Sequence, residues 1–410
     1  MGYPLKGENL LKIIGFILLA LVIFLLLLYV DFILGRRQHL SSIYRKNYPI
    51  RQSQIDVFTR GDALFTDLFS EIEHANEHIH VLFYILKDDP YGRRFLQILK
   101  NKALEGVEVR LLLDWAGSFS VPRRIVNEAK QAGIHFSYSH KPKFPFLFYR
   151  LQVRNHRKIT VIDGKIGYIG GFNVGKEYLN EDPKLNPWRD YHLKIMGEGV
   201  HDLQREFLKD WEEETQEHLL KTSTYFPDPV SGPIRHQIIP SEGFYLEETF
   251  SGMIRGAETS IHIGSPYFIP SKRIFQDLLA ALDRGVEVTI LVPQTPDHPF
   301  VKEASFPYLR TLISKGANVY GYLKGFYHAK ILIIDDRICD SGTANFDKRS
   351  FFLNHEINCY MYDPDIISHM KNIYETDTKD GKKLSLHDLT HLSFKQKMLE
   401  WIARPISYFL

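Results

Sequence analysis

The chain carries the string His156-Arg157-Lys158-Ile159-Thr160-Val161-Ile162-Asp163, which has the form H-x-K-x-x-x-x-D and returns as His328-Ala329-Lys330-Ile331-Leu332-Ile333-Ile334-Asp335. Each copy leads into a glycine–asparagine turn, Gly171-Phe172-Asn173 after the first and Gly342-Thr343-Ala344-Asn345 after the second. The separation of the copies is the same whether it is counted between histidines, aspartates or turn asparagines. A lone string of this form is typical of an ordinary surface strand, whereas two matched copies indicate a duplicated functional unit.

Each string is expected to form a β-strand, in which successive side chains point to opposite faces. In the first copy, His156 and Lys158 then share one face, and Ile159 and Val161 share the other. The second copy repeats this alternation. Each strand is therefore predicted to offer one histidine and one lysine to a site and to anchor its opposite face in a core.

The aspartate of each string, Asp163 or Asp335, lies far from its histidine and on the opposite face. At ~3.3 Å per residue the separation is roughly 20 Å along the strand, so that the aspartate cannot orient the histidine of its own string. From the residues alone, each aspartate is predicted to fix the turn that ends its strand.

A reactive histidine needs a carboxylate that sets its tautomer and stabilises its cation. Two candidates lie at matching places in the two halves, each before a strand-like stretch: Asp190 in Trp188-Arg189-Asp190-Tyr191-His192 and Glu356 in Asn354-His355-Glu356-Ile357-Asn358. If the halves pack about a pseudo-twofold axis, both His–Lys pairs converge on one cleft.

A paired His–Lys site suits displacement at a phosphodiester through a phosphorylated histidine. One neutral histidine attacks phosphorus, while the other protonates the departing alkoxide and later deprotonates the incoming hydroxyl. The charge on the non-bridging oxygens would be stabilised by Lys158, Lys330, Asn173 and Asn345. Either asparagine could instead serve only its turn. We assign His156 as the nucleophile and His328 as the acid–base, and the pseudo-symmetry leaves the reverse assignment open.

The chain is predicted to contain two homologous α/β halves, at 51–220 and 221–390. Each half opens with a strand–helix–strand unit of apolar strands, which favours a largely parallel or mixed sheet flanked by helices. The matching segments are 79–84, 92–104 and 106–113 in the first half and 261–263, 271–282 and 285–292 in the second. The Pro- and Gly-containing segment 226–233 is the predicted link between the halves.

The N-terminal part is predicted to be a membrane anchor. Residues 13–30 carry no charge, and the stretch 10–34 is interrupted only by Lys12 and Asp31, which gives the length of about 20 apolar residues that spans a bilayer. A cleaved signal peptide fits less well, because its apolar core is usually ~7–15 residues long and ends at small residues. We therefore predict a transmembrane helix at 10–34 and a polar juxtamembrane linker at 35–50.

The positive charges around this span favour a cytoplasmic catalytic part. The basic residues before the span are Lys6 and Lys12, and those that follow it are Arg36, Arg37, Arg45, Lys46 and Arg51. The side richer in lysine and arginine is normally the cytoplasm. The expected location is the cell membrane, with a single pass and the large C-terminal part inside.

Two further segments are candidates for contact with lipid. Residues 141–150 place aromatic side chains between basic ones just before the first string. Residues 391–410 are predicted to be a C-terminal interfacial helix, with apolar residues at helical spacing at Phe394, Met398, Trp401 and Ile402. Either segment could instead simply cover the core.

The composition argues against several classes of protein. The formal net charge is +2, so that no large basic field points to nucleic acid. The two cysteines, Cys339 and Cys359, provide no disulfide framework, and Cys339 is predicted to be a buried small hydrophobe. No Cys/His cluster in the sequence has zinc spacing, and neither a metal nor a cofactor is expected.

These residues resemble the phospholipase D superfamily over nearly all of the chain after the anchor, and within it the bacterial cardiolipin synthases. The narrower resemblance rests on the stretches Asn155-His156-Arg157-Lys158, Gly170-Gly171-Phe172-Asn173, Trp188-Arg189-Asp190, Ser265-Pro266-Tyr267-Phe268-Ile269-Pro270, Gly342-Thr343-Ala344-Asn345-Phe346-Asp347 and Arg349-Ser350-Phe351. It implies that all six motif residues belong to the catalytic motif, Asp163 and Asp335 included, and that the chemistry needs no metal. One departure is that many bacterial members have two N-terminal membrane helices, whereas this chain shows one.

The resemblance implies that phosphatidylglycerol is both donor and acceptor, that glycerol leaves and that the product is cardiolipin. The partners implied are membrane lipids and no nucleic acid, and the oligomeric state stays open. Three alternatives remain: a membrane-tethered phospholipase D-type hydrolase that uses water, another phosphodiesterase such as a nuclease, and an inactive lipid-binding scaffold. The span and the modest charge argue against a nuclease, and two intact strings argue against a scaffold.

Overall fold

The computed structural model describes residues 7–43, 45 and 48–410. Helix α1 (Gly7–Ser42) precedes the body of the protein. The first half contains β1 (Arg51–Phe58), α2 (Gly61–Glu73), β2 (His78–Phe83), α3 (Pro90–Leu104), β3 (Glu108–Asp114), α4 (Arg123–Gln131), β4 (His135–Ser139), α5 (Leu147–Gln152), β5 (Ile159–Ile162), β6 (Ile166–Gly170), a 3-10 turn (Lys176–Leu179), β7 (Trp188–Arg189), β8 (His192–Gly197), α6 (Val200–Thr215) and a second 3-10 turn (Ser223–Tyr225).

The second half repeats this order of elements with small variations. It contains β9 (Ile234–Glu242), α7 (Leu246–Arg255), β10 (Ser260–Gly264), β11 (Phe268–Ile269), α8 (Lys272–Asp283), β12 (Glu287–Pro293), α9 (Val301–Ser314), β13 (Asn318–Tyr322), β14 (Phe326–Tyr327), β15 (Ile331–Ile334), β16 (Ile338–Gly342), β17 (Phe346–Asp347), α10 (Lys348–Phe352), β18 (His355–Met361), α11 (Pro364–Lys379), β19 (Gly381–Lys383), α12 (Leu386–Thr390) and α13 (Phe394–Ile406).

One 15-stranded sheet runs through both halves, in the order β19-β13-β12-β10-β15-β16-β18-β9-β1-β8-β6-β5-β2-β3-β4. Counted outward from the antiparallel β9–β1 pair, the two halves repeat the same succession of strands, which places β5 and β15 at equivalent positions. Within this sheet, parallel pairing is confined to β2–β3–β4 and β10–β12–β13. The sheet is therefore mixed rather than largely parallel, and the two halves share it edge to edge.

Strands β5 and β15 are buried on both faces. Helices α6 and α11 cover one face of the sheet, and separate cores under α2 and α3 and under α7, α8 and α9 cover the other. Strands buried on both sides read as continuous apolar runs. The histidine and lysine of each string lie in extended segments that lead into β5 and β15, and not within the regular strands as the alternation predicted.

Helix α1 is longer than the span expected at 10–34. It continues to Ser42, so that residues 35–42 of the expected linker are helical. In the described part of the chain it is the one helix long and apolar enough to cross a membrane, with a mean hydropathy of 3.3 over its most apolar stretch. Lys6 and Lys46, which entered the orientation argument, lie outside the described residues.

The end of α1 is helical because it packs on the body of the protein. Phe32 is buried against Tyr149, with ring centroids 5.5 Å apart. Arg36 Nη1 donates to the carbonyl oxygen of Phe352 at 3.3 Å, and His39 Nε2 lies 3.0 Å from the carbonyl oxygen of Glu242. The anchor is therefore docked on the second half and on α5.

The two candidate lipid-facing segments differ in exposure. In 141–150, Phe144 is 85% exposed, whereas Tyr149 is buried against α1. Helix α13 packs on α9 through Ala403 and turns its aromatic residues outward, with Trp401 74% and Phe394 84% exposed. The first segment therefore mainly covers α1, and α13 has an exposed apolar face.

Cys339 and Cys359 lie on the neighbouring strands β16 and β18. Both are fully buried and both are free thiols. Cys339 is thus the buried small side chain that the sequence predicted.

Candidate active site

A cleft with a cavity of about 460 Å³ lies between the two halves. Its wall includes both motif histidines, His156 and His328, and both turn asparagines, Asn173 and Asn345. The convergence predicted from the duplication is therefore present in the fold.

Backbone hydrogen bonds between the halves hold each histidine at the cleft. His328 N donates to the carbonyl oxygen of Arg189 at 2.7 Å, and His156 N donates to that of His355 at 2.9 Å. The parallel pairing of β14 with β7 extends the first contact, and a bridge between Asn155 and His355 extends the second. Each histidine is thus fixed beside the segment that carries the carboxylate of the other half.

His156 of the first half is paired with Glu356 of the second. Its Nδ1 atom lies 2.9 Å from Glu356 Oε2 and 3.1 Å from Oε1. The same carboxylate accepts from Thr343 Oγ1 at 2.6 Å and from Ser350 Oγ at 2.8 Å. This network fixes the carboxylate, which takes the Nδ1 proton of His156 as a hydrogen bond and leaves Nε2 for the cleft.

His328 of the second half is paired with Asp190 of the first. Its Nδ1 atom lies 2.5 Å from Asp190 Oδ2, and Asp190 Oδ1 accepts from the backbone N–H of Tyr191 at 2.8 Å. Both carboxylates are almost fully buried. The candidate carboxylates are thus at the site, and each serves the histidine of the opposite half.

The two lysines lie beside their histidines in the buried floor of the site. Lys158 Nζ donates to the carbonyl oxygen of His156 at 2.6 Å, and Lys330 Nζ contacts that of His328. Lys330 Nζ also lies 3.7 Å from Asp190 Oδ2. Each lysine amino group therefore lies beside the histidine of its own string, as the sequence predicted.

Both turn asparagines line the cleft, and their amides differ in how far the protein engages them. Asn173 Oδ1 accepts from Ile85 N at 3.1 Å, and its Nδ2 donates to the hydroxyl of Tyr178 at 3.2 Å. The Asn345 amide contacts Asp347, and its Oδ1 is buried without a hydrogen-bond partner among the described residues. Their contribution to phosphoryl binding stays a prediction.

Asp163 and Asp335 stand at the far ends of β5 and β15 and take no part in the wall of the cleft. The Asp163 carboxylate accepts from the backbone N–H groups of residues 76–78, at 2.8 to 2.9 Å. The Asp335 carboxylate accepts from those of residues 258–260, at 2.7 to 2.9 Å. The structure places both at turns and away from the cleft wall, as the spacing argument expected, and the part in catalysis that the resemblance implied stays a prediction.

Arg157 is a supporting residue that the sequence analysis did not select. It is fully buried, and its Nη1 donates to Asp210 Oδ1 on α6 at 2.6 Å. Its Nε donates to the carbonyl oxygen of Glu356 at 3.1 Å. Arg157 therefore joins the segments of His156 and Glu356 across the two halves. The sequence feature that could have pointed to this residue is its position inside the first string.

Aromatic rings that were also not selected close around the histidines. The Tyr84 ring lies 5.0 Å from that of His156, and the Trp188 ring lies 4.8 Å from that of His328. The only sequence feature that pointed to Trp188 is its position directly before Arg189 and Asp190. Tyr84 ends an apolar run that contains no motif residue, so that nothing in the sequence indicated its place at the site. These rings limit the water around both imidazoles.

Burial sets the protonation states of the basic groups. It lowers the pKa of both histidines, that of His328 to about 4 with a further contribution from Lys330. It also lowers the pKa of Lys158 to about 7 and that of Lys330 to about 8. Both imidazoles are therefore neutral at neutral pH, the form in which a ring nitrogen can attack phosphorus.

The two carboxylates stay ionised in spite of their burial. Burial alone would raise the pKa of Glu356, but the neighbouring His156 holds it below its usual value. Lys330 and His328 do the same for the pKa of Asp190 against the effect of burial. A bound phosphodiester anion would raise the pKa of the histidines and lysines, which favours a proton on one histidine and charge on both lysines. The arrangement can therefore supply one nucleophilic and one proton-donating imidazole.

Comparison with known proteins agrees with this geometry. The family model "Cardiolipin synthase, PLD-like domain" matches residues 68–211 and 251–378. The chain is 41% identical over 400 residues to the minor cardiolipin synthase ClsB of Bacillus subtilis (strain 168), covering 98% of this chain and 100% of that protein. It is 37% identical over 373 residues to the cardiolipin synthase of Oceanobacillus iheyensis, covering 90% of this chain and 76% of that protein.

Among solved structures, the phosphatidylserine synthase of Haemophilus influenzae Rd KW20 has the same fold, with a TM-score of 0.70 at 18% identity over 92% of this chain and 99% of that chain. The protein belongs to the cardiolipin synthase, PLD-like domain family. The resemblance drawn from the two strings is thereby confirmed.

Proposed function

We propose that the protein is a cardiolipin synthase, which transfers the phosphatidyl group of one phosphatidylglycerol to another and releases glycerol. The observation that carries the proposal is the single cleft in which His156 and His328 are each paired with a carboxylate of the opposite half. Membership of the cardiolipin synthase family directs this phosphodiester chemistry to a phospholipid.

In the first step, Nε2 of His156 attacks the phosphorus of phosphatidylglycerol and the bond from phosphorus to the glycerol oxygen breaks. His328 gives its proton to the departing glycerol oxygen. Glu356 stabilises the positive charge that develops on the His156 ring, and Lys158 and Lys330 balance the non-bridging oxygens. The product of this step is a phosphatidyl group bonded to His156.

In the second step, a hydroxyl of another phosphatidylglycerol attacks the same phosphorus. His328, now neutral, takes the hydroxyl proton, and the bond from phosphorus to His156 breaks. Asp190 stabilises the His328 cation and prepares it for the next turnover. The two histidines keep fixed roles because each step needs one nucleophile and one acid–base.

The membrane anchor is assigned to α1, and the catalytic body, with its halves at 51–220 and 221–390, is assigned to the cytoplasmic side. The apolar face of α13, which bears Phe394 and Trp401, would rest in the lipid interface. Phe409 and Leu410 line the cleft, so that apolar side chains continue from this region to the histidines. A lipid substrate would thus reach the cleft along an apolar path.

The test is to incubate the purified full chain with phosphatidylglycerol vesicles and to identify the products by mass spectrometry. Cardiolipin and glycerol in equal amounts are expected. Phosphatidic acid as the main product would replace the proposal with a hydrolase, and absence of turnover in the folded protein would contradict an enzymatic role. The His156→Ala and His328→Ala variants are the matched inactive controls, because both steps need both groups.

A further inference from the structure

The cleft is chemically asymmetric although the fold repeats. On the side of His156, the wall carries the basic residues Arg154 and Arg349. On the side of His328, it carries an indole, a phenol and a carboxylate, those of Trp188, Tyr267 and Asp297. The two histidines therefore face different ligand groups.

Asp297 is a carboxylate with one unused oxygen. It lies in the loop between β12 and α9, and its side chain is only 10% exposed. Its Oδ2 accepts from the hydroxyl of Tyr267 at 2.6 Å. Its Oδ1 is buried and has no hydrogen-bond partner within the described ranges of the chain. A buried carboxylate oxygen without a donor is costly, and a ligand group in the adjoining cleft is one source of such a donor.

Trp188 supplies the complementary group. Its ring stands 4.8 Å from that of His328, and its side chain is almost fully buried. Its indole Nε1–H donor is buried and has no acceptor among the residues that the structure describes. One unused acceptor and one unused donor thus belong to the walls beside the same histidine. A hydroxyl group, which both donates and accepts, satisfies such a pair.

We propose that Asp297 and Trp188 form a subsite for a vicinal hydroxyl beside His328, and that it holds the glycerol headgroup of phosphatidylglycerol. This inference rests on the proposed function. The secondary hydroxyl of the glycerol would donate to Asp297 Oδ1 and accept from Trp188 Nε1. The adjacent primary oxygen then faces His328 and the phosphorus.

The same subsite serves both steps. When glycerol leaves, its primary oxygen separates from phosphorus and takes the proton of His328 while its secondary hydroxyl is held. When the acceptor arrives, its primary hydroxyl gives its proton to His328 and bonds to phosphorus as the bond to His156 breaks. Water and simple alcohols have no neighbouring hydroxyl for Asp297, so that they compete poorly for the phosphatidyl intermediate. The position of the subsite also makes His328, rather than His156, the acid–base that exchanges a proton with the alcohol oxygen.

The Asp297→Asn variant tests the subsite because it changes one hydrogen-bonding atom and almost no volume. The hydroxyl of Tyr267 keeps the amide oxygen on its own side, so that the amide NH₂ replaces the unused oxygen. An acceptor in the cleft thereby becomes a donor. Trp188→Phe is the second variant, since it removes the donor and keeps an aromatic wall.

The assay gives the enzyme phosphatidylglycerol in detergent micelles with equal concentrations of deuterated glycerol and propan-1-ol. Mass spectrometry then measures the ratio of the two phosphatidyl products. Because both alcohols partition the same intermediate, this ratio is independent of the first step. We expect the ratio of glycerol to propanol product to fall about tenfold or more in each variant, the loss of one hydrogen bond to a charged or buried group.

Asp283→Asn is the matched control, because Asp283 is exposed and pairs only with Lys315 at the surface in the described structure. Its product ratio should equal that of the original protein. An unchanged ratio in folded Asp297→Asn and Trp188→Phe would overturn the subsite while leaving the proposed function standing. If the original protein transferred to neither alcohol nor to phosphatidylglycerol, the proposed function would fail, and the subsite with it.

Discussion

Replacement of Glu356 by glutamine should reduce turnover strongly, and of the two histidines it should affect His156. The change keeps the shape of the side chain and removes its negative charge. Thr343 and Ser350 can rotate their hydroxyl groups to suit an amide, so that the fold should persist. The effect should therefore appear in catalysis rather than in stability.

The magnitude follows from the geometry of the pair. Nδ1 of His156 lies 2.9 Å from the nearest Glu356 oxygen. With the centres of charge about 4 Å apart and an effective dielectric constant of about 20, the carboxylate stabilises a cationic imidazole by about 4 kcal/mol. At about 1.4 kcal/mol per tenfold change in rate, kcat should fall roughly a thousandfold.

Two measurements check this expectation. Turnover of phosphatidylglycerol in micelles gives the change in kcat, and nuclear magnetic resonance gives the pKa of each imidazole. Loss of the carboxylate should lower the pKa of His156 and leave that of His328 in place. Glu105→Gln, which changes an exposed carboxylate paired with Lys102, should change neither quantity. A perturbed His328 with an unchanged His156 would refute the exchange of carboxylates between the halves.

Three further outcomes are expected. Asp163→Asn and Asp335→Asn should each cost about 2–3 kcal/mol of stability and little turnover, because each carboxylate holds several backbone N–H groups. Although burial opposes ionisation, those N–H groups lower the pKa of Asp335 to about 2. Thermal unfolding measured from pH 2 to 5 should therefore show that the ionised Asp335 carboxylate stabilises the fold above pH 4 and that this stabilisation is lost toward pH 2. In a pH profile, kcat/KM should fall from about pH 7 to 8 as Lys158 and then Lys330 lose their protons, and Lys158→Arg should move the start of that fall upward because arginine stays charged. Deletion of residues 1–29 should preserve turnover in micelles with a chelator present and reduce turnover on vesicles. Deletion of residues 1–42 also removes the contacts of Phe32 and His39 and should therefore lower the melting temperature as well. Loss of turnover in micelles after the shorter deletion would contradict this expectation.

The sequence alone was sufficient to identify the site residues that occur in both halves. Two strings at constant spacing identified His156 and His328, and matching places in the halves identified Asp190 and Glu356. The period of two also separated Asp163 and Asp335 from the histidines, because strand geometry alone fixes that distance. Local periodicity and repetition are therefore enough to find such residues.

The sequence could not show which carboxylate serves which histidine. That choice depends on the pairing of β14 with β7 and on the bridge between Asn155 and His355, contacts between segments far apart in the chain. Asp297 was missed for a similar reason, since it stands in an irregular loop and becomes part of the cleft only through the packing of α9. The helical residues 35–42 were missed because their partners, Phe352 and Glu242, belong to the second half.

The exchange of carboxylates makes the boundary between the halves a part of the chemistry. The first half holds His156 and Asp190, and the second holds His328 and Glu356, so that neither half alone contains a working His–carboxylate pair. Arg157 adds a further bond across this boundary through the carbonyl oxygen of Glu356. The central β9–β1 pairing joins the halves into one sheet, so that it helps to position the two histidines relative to each other as well as to form the fold. In such a site, the residues that occur in both halves supply the phosphoryl chemistry. Selection between alcohols has to come from residues that differ between the halves, and Asp297 and Trp188 beside His328 are residues of this kind.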